Sequence, residues 1–476
     1  MACPGFPFLS FGVLLPVFSG EVHNELQEEI NMKINTRLLR LFCLAGAASL
    51  FPAFPLHAAD DMIFGQPLFY GGTNDFATVT GDFDNDGSLD IVTSSPVRRD
   101  GFGQIIELGS LAIYNYDPGV GFYLPTEITD QVGGSALAAA DLNGDGNLDI
   151  VSVNETLVLF GNGDGTFAAP VSYGTPSTDA LAVALGDMDN DGDIDIVRPN
   201  NDRILLNNGD GTFFTNFVGS NVSGGGSVAL GDIDEDGNLD IATAYNFYNE
   251  ARHEVSLQLG TGNGNGDPGQ PYNVDVGGNS PAKVALQDMN NDGHLDLISL
   301  NQASNDISVL PGAGDGTFGT PFTIRAHPSG NILPNVMTVA DVNNDGNMDV
   351  VVTSTVYGNA TSHQETSIMI GDGSGSLMIT QIVERFGQLG ENIVAADLDG
   401  DGDTDLATSS HILYNQNQGG SSCPEDLNGD GQIDQADLGQ LLAAYNTNDG
   451  GDIDGDGDTD QADLGQLLAA YGQTCS

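Results

Sequence analysis

The sequence predicts an all-β protein, a seven-bladed propeller, carrying a small all-α module at its C-terminal end. Three observations predict it. An acidic nine-residue pattern, Asp187-Met-Asp-Asn-Asp-Gly-Asp-Ile-Asp195, recurs from Asp82, Asp141, Asp232, Asp288, Asp341 and Asp397. The seven starts are separated by 59, 46, 45, 56, 53 and 56 residues, and each unit carries short apolar, β-branched runs. Four such runs per unit of roughly 50 residues, within the usual four to eight units, make a propeller. Finally, the twelve residues from Asp434 to Tyr445 recur unchanged from Asp460 to Tyr471, with leucines at helical spacing.

In chain order, Met32-Lys-Ile-Asn-Thr-Arg-Leu-Leu-Arg40 is a basic start, Leu41 to Leu56 is mostly apolar, and Ala58 and Ala59 are small. That is the layout of a secretory signal peptide over residues 32–59. Its apolar run is too short for a membrane span. Residues 1–31 carry four glutamates and no Lys or Arg, so Met32 is the expected translation start. The mature chain is then secreted, without a membrane span.

The whole chain has 67 acidic and 11 basic residues; four glutamates and three cations precede Ala59, leaving a net −55. Such a protein excludes nucleic acid and anionic membranes as partners. Much of the acidity sits in the repeated loops. Cys423 and Cys475 are the only cysteines after the leader, and they bracket the C-terminal repeat. An even pair suits an oxidising compartment, so a Cys423–Cys475 disulfide is expected.

Each of the seven units reads alike over residues 60–416. An apolar strand such as Leu181 to Leu185 leads into the acidic loop. A β-branched strand such as Leu148 to Val153 follows, then a third such as Thr156 to Phe160. A glycine turn, Gly161-Asn-Gly-Asp-Gly-Thr-Phe167, leads to a fourth strand, Ala168 to Tyr173. This turn is degraded in the first, fourth, sixth and seventh units. The seventh unit stops at a linker, residues 417–422, without a fourth strand. Ile63 to Tyr70 resembles the fourth strand elsewhere, as in Phe318-Gly-Thr-Pro-Phe322, so the N-terminus is expected to complete the last blade.

The loops place oxygens at positions 1, 3, 5 and 9 with glycine at 6. Alternate carboxylates on a short turn supply the hard oxygens that Ca²⁺ takes, and glycine permits the turn. The expected ligands are Asp82, Asp84, Asp86 and Asp90; Asp141, Asn143, Asp145 and Asp149; and Asp187, Asp189, Asp191 and Asp195. They continue with Asp232, Asp234, Asp236 and Asp240; Asp288, Asn290, Asp292 and Asp296; Asp341, Asn343, Asp345 and Asp349; and Asp397, Asp399, Asp401 and Asp405. These are not helix-loop-helix sites, because position 12 is Thr93, Ser152, Arg198, Thr243, Ser299, Val352 or Thr408. The three loops with asparagine at position 3 lose a charge and are expected to bind more weakly. The pattern and its glycine turn resemble the FG-GAP/VCBS repeat family, which includes the propeller of integrin α chains. The resemblance implies that the position 7 carbonyl joins the side-chain ligands.

Residues 423–476 carry two further loops that do reach position 12. Asp426, Asn428, Asp430, Asp434 and Asp437 form one set; Asp452, Asp454, Asp456, Asp460 and Asp463 form the other. Leu438, Leu441 and Leu442, with Leu464, Leu467 and Leu468, mark an apolar helical stripe. This segment resembles a type I dockerin. The resemblance implies a cohesin-like partner, and up to nine Ca²⁺ sites in all.

No catalytic constellation is visible. His253, His294, His327, His363 and His411 lack metal-ligand spacing, and the paired carboxylates keep the loop register rather than glycosidase geometry. The loops and glycine turns share one side of the ring. The other side gains Arg98, Arg99, Tyr245, Phe247, Tyr248 and Arg252, residue types enriched in binding hot spots. The expected role is non-catalytic binding or adhesion to a protein or glycan, tethered through the dockerin-like segment to a cohesin-bearing partner or cell surface. The alternative is an extracellular polysaccharide-degrading enzyme, a glycoside hydrolase or lyase, bearing the same module.

Overall fold

A computed structural model describes residues 64, 68–69, 77–95, 98–99, 105–107, 109–118, 121–129, 133–153, 156–173, 182–198, 203–217, 225–245, 252–261, 269–329, 332–357, 362–384, 392–408, 410–415, 433, 435–445, 459 and 461–471. The expected leader, linker and cysteines, and most of the two C-terminal loops, lie outside them.

Seven four-stranded antiparallel sheets form. Blade one comprises Ala77–Gly81, Asp90–Ser95, Ser110–Tyr114 and Thr126–Thr129. Blade two comprises Ala136–Ala140, Asp149–Val153, Leu157–Leu159 and Val171–Ser172; blade three, Ala184–Gly186, Asp195–Arg198, Arg203–Asn207 and Phe213–Phe217. Blade four comprises Gly225–Gly231, Asp240–Tyr245, Glu254–Gln258 and Tyr272–Asp275; blade five, Pro281–Gln287, Asp296–Asn301, Asp306–Leu310 and Phe322–Arg325. Blade six has the longest strands, Ile332–Ala340, Asp349–Tyr357, Ser362–Gly371 and Leu377–Glu384. Many strands are shorter than the sequence runs, as with Val171–Ser172 in place of Ala168 to Tyr173.

Blade seven is assembled from both ends of the ring. Val394–Ala396, Asp405–Ala407 and His411–Leu413 are completed by Leu68–Phe69, which pairs antiparallel with His411 and Ile412. Phe64 bridges to Asn415 and is fully buried. The first strands of neighbouring blades lie side by side, and that of blade seven lies against that of blade one. Asn392 reinforces the seam by exchanging two 2.9 Å hydrogen bonds with the Thr78 backbone.

The core is distributed rather than central. Described apolar residues form one cluster at each of the seven junctions between blades. At the five–six junction, Ile298, Leu300, Ile307 and Val309 pack against Val350, Val352 and Met369. Each side chain so buried contributes roughly 1.5–3 kcal/mol relative to exposure. Every sheet is therefore covered on both faces, which explains the unbroken apolar runs in the second strands. Pro170 and Pro321 precede the outer strands of their blades, where a missing N–H blunts an open edge.

The repeated C-terminal segment forms helices Gln435–Ala444 and Gln461–Ala470, packed on one another. Leu441, Leu467 and Ile433 are buried between them, and Leu438 and Leu464 are half-buried. Leu442 and Leu468 are not part of the buried stripe: each is 54% exposed. The helices turn at 100° per residue, so adjacent leucines cannot both face a two-helix seam. Two ten-residue helices are the only secondary structure described in this segment, so a distinct calcium-binding all-α domain remains an expectation. Among the described residues no helix is long and apolar enough to cross a membrane.

Candidate metal loops

Each acidic loop joins the first and second strands of its blade. The residue at position 2 is apolar in every loop: Phe83, Leu142, Met188, Ile233, Met289, Val342 and Leu398. All seven are buried and plug the loop into the core between blades. Sequence reading missed this role, although one apolar residue per loop at a fixed register was its signal.

The acidic side chains first fold the loop. In loops one to six the position 1 carboxylate accepts from the backbone N–H groups of positions 5 and 6, as in Asp86 N to Asp82 at 3.0 Å and Gly87 N to Asp82 at 3.0 Å; in loop seven Asp397 accepts from positions 4 and 6. Position 5 accepts from position 7, as in Ser88 N to Asp86 at 2.8 Å. The glycine at position 6 has positive φ, from 84° at Gly346 to 97° at Gly192, which other residues rarely adopt.

Position 9 staples the loop to its blade. Asp90, Asp149, Asp195, Asp240, Asp296, Asp349 and Asp405 are all fully buried. In each, one oxygen accepts the position 2 N–H, as in Met188 N to Asp195 at 2.8 Å. The other accepts an N–H at or just past the end of the third strand, as in Asn207 N to Asp195 at 2.7 Å. A carboxylate oxygen has a further lone pair, so this bonding leaves each able to face a cation. Burial raises these acids above the ordinary carboxylate range, to about 6 at Asp90, Asp149, Asp240 and Asp349 and to about 7 at Asp195 and Asp405. Asp296 is raised for the same reason.

Four loops gather three carboxylates whose oxygens lie within 4.8 Å of one another: Asp82, Asp84 and Asp86; Asp187, Asp189 and Asp195; Asp232, Asp234 and Asp240; and Asp397, Asp399 and Asp405. These are the loops with aspartate at position 3. Burial and the neighbouring carboxylates push Asp84, Asp189 and Asp234 upward, and Asp399 to about 6. Asp189 Oδ1 and Asp234 Oδ1 are buried without a hydrogen-bond partner. A buried, unpartnered anionic oxygen among like charges is costly, and a divalent cation removes that cost. Hard oxygen donors and orphaned oxygens therefore fit Ca²⁺. In loops two and six, Asn143 and Asn343 turn their amide nitrogen onto Asp145 and Asp345 at 3.0 and 2.9 Å. Their amide oxygens accept the backbone N–H of the same aspartates, at 2.9 and 3.2 Å. In loop five Asn290 accepts from Asp292 N at 2.9 Å.

The glycine turns are docking elements, not only reversals. Gly165, Gly316 and Gly375 donate their N–H to the position 2 carbonyl of the preceding blade's loop, at 3.1, 3.3 and 3.0 Å. The turn of blade six, Gly371 to Leu377, keeps this geometry despite its altered sequence, with Gly373 and Gly375 at φ 68° and 81°.

On the other side of the ring, Arg98 and Arg99 pair with residues 105–107 in a two-stranded hairpin of blade one. Tyr245 ends the second strand of blade four, Arg252 is exposed, and Phe247 and Tyr248 lie outside the described residues. Glu365 of blade six lies there, 2.7 Å from Nε2 of His327, which follows the last strand of blade five, and 2.6 Å from Nε2 of His363. Of the ten expected C-terminal ligands only Asp437 and Asp463, on the two helices, are described; the other eight lie outside the described residues.

A model of FG-GAP-like repeats matches residues 196–243 and 288–352, which contain loops four, five and six. The chain therefore carries FG-GAP-like repeats on a seven-bladed propeller. No curated protein matches the sequence. Among solved structures, an Agrocybe aegerita lectin recognising non-reducing terminal N-acetylglucosamine is 20% identical. That match covers 72% of this chain and 91% of the lectin, with a TM-score of 0.47. A Bacillus licheniformis rhamnogalacturonan lyase is 14% identical over 73% of this chain and 74% of the lyase, with a TM-score of 0.39. Likeness at that level does not bear on function.

Proposed function

We propose that this protein is a secreted, calcium-loaded propeller that acts as a non-catalytic binding or adhesion module. Its repeated helices tether it to a cohesin-like partner or cell surface. The observation that carries the reading is the pair of buried, unpartnered carboxylate oxygens inside pre-folded loops, Asp189 Oδ1 and Asp234 Oδ1. Bound cations offset part of the loops' charge and rigidify one side of the ring, which holds the opposite connections as a fixed binding surface. Blade one's Arg98–Arg99 hairpin and Arg252 stand among those connections. Leu442 and Leu468, equally exposed on the two helices, suit a partner that reads either helix. The test is a glycan and protein array probed with the calcium-loaded protein and with the chelated protein. Calcium-dependent retention of a ligand supports the reading; retention that survives full chelation contradicts it.

The second reading, a polysaccharide-degrading enzyme, draws on one observation: Glu365 held between His327 and His363. A carboxylate–imidazole pair is general-base equipment. Turnover of an anionic or neutral polysaccharide that Glu365→Gln abolishes would favour it.

A further inference from the structure

Neighbouring loops are tied together by a belt of side chains. The position 4 residue of one loop reaches the position 7 side chain of the next. Asn85 donates to Asn147 at 2.9 Å, Asn190 to Asn238 at 2.6 Å, Asn291 to Asn347 at 2.7 Å and Asn344 to Asp403 at 2.7 Å. Glu235 and His294 make the same link. All five position 4 residues have φ near 57–60°, the left-handed conformation that asparagine tolerates best among larger residues. The belt breaks twice. Position 4 is Gly144 in loop two and Gly400 in loop seven, and neither has a side chain to reach Asp193 or Ser88. Loops three to seven thus form one run and loops one and two a pair.

Both ends of each link stand beside expected ligands. Position 4 lies between positions 3 and 5 of its own loop. Position 7 gives its N–H to the position 5 carboxylate, as in Asn347 N to Asp345 at 2.8 Å, and its carbonyl is the expected backbone ligand. The glycine turn locks the link from outside. A Cβ on Gly163 would meet Asn147 Oδ1 at 2.2 Å and Asn85 Nδ2 at 2.5 Å, and one on Gly373 would meet Asn347 Oδ1 at 2.4 Å. Ordering one loop therefore fixes the position 7 residue of the next.

We infer that these position 4 side chains are positioning residues that couple calcium loading between neighbouring loops, in a run of five and a separate pair. The inference rests on the calcium reading above. A surface hydrogen bond contributes a factor of about threefold in affinity per link.

The test is a Ca²⁺ titration by calorimetry of the metal-free full chain and two variants. Asn291→Gly deletes the link between loops five and six and installs the residue that loops two and seven already carry. Gly144→Asn adds a link: a Cβ there meets nothing nearer than 3.6 Å, and Asn344 to Asp403 shows an asparagine–aspartate pair in that geometry. Asn291→Gly should make the isotherm less steep and weaken binding about threefold. Gly144→Asn should steepen it. If all three proteins bind Ca²⁺ with superimposable isotherms, the coupling is refuted, whatever happens to their melting temperatures in chelator. If none binds Ca²⁺, the calcium reading itself has failed.

Discussion

Replacing Asp195 by asparagine separates the two tasks of the ninth loop position. The wild-type carboxylate accepts two buried N–H groups, Met188 at 2.8 Å and Asn207 at 2.7 Å. An amide of the same shape has one acceptor oxygen and one donor nitrogen, so one N–H faces another donor. Leaving one buried N–H unpaired costs about 1–3 kcal/mol. That cost should appear in urea unfolding with chelator present. The pH dependence has a definite sign. Burial raises Asp195 to about 7, above its unfolded value of 3.8. The stability it contributes in the metal-free protein is therefore fully present below about pH 4 and is lost as the pH rises through 7. The substituted amide does not titrate, so the variant's stability should fall less steeply between pH 4 and 7. In saturating Ca²⁺ the variant also loses a charged ligand, and its deficit at pH 8 should exceed that in chelator. A variant as stable as wild type, with the same pH slope and the same response to Ca²⁺, would refute the reasoning.

Deleting residues 64–69 should leave blade seven with three strands, expose the His411–Leu413 edge and drive association visible by size-exclusion chromatography. Phe64→Ala should destabilise the ring by about 3–5 kcal/mol, because the side chain is fully buried at the six–seven junction; urea midpoints check it. Gly163→Ala should lower the melting temperature, since its φ is 72° and the added methyl meets Asn147 and Asn85; an unchanged value would show that the turn does not dock. Mutating Gln440 and Ala444 in one helix should leave affinity for a cohesin-like partner within a few-fold, while the same changes in both helices should abolish it.

The blades were legible because each loop announces itself within nine residues and each strand run follows it at once. The closing strand was legible from Phe64-Gly-Gln-Pro-Leu68 matching Phe318-Gly-Thr-Pro-Phe322. Relations between blades were not. The partner of Asn85 is 62 residues away and that of Asn190 is 48 away, so no local period marks the belt. Asp195 looked like a ligand alone, because its acceptance of Asn207 N depends on where the third strand ends. The sixth turn looked degraded because its sequence changed, but the two glycines that need positive φ, Gly373 and Gly375, were kept. The leucine stripe included Leu442 because spacing alone does not say which edge of the stripe faces the seam; only packing sets that.

The central claim is that the seven loops hold Ca²⁺ ions that stabilise the ring by binding the folded state. Native mass spectrometry of the full chain at rising Ca²⁺, paired with melting curves, tests it most directly. The account predicts stepwise mass increments up to nine ions, seven in the ring and two at the C-terminal repeat. The melting temperature should climb in parallel and fall in chelator. A protein that gains no Ca²⁺ mass and melts at the same temperature with and without chelator would contradict it.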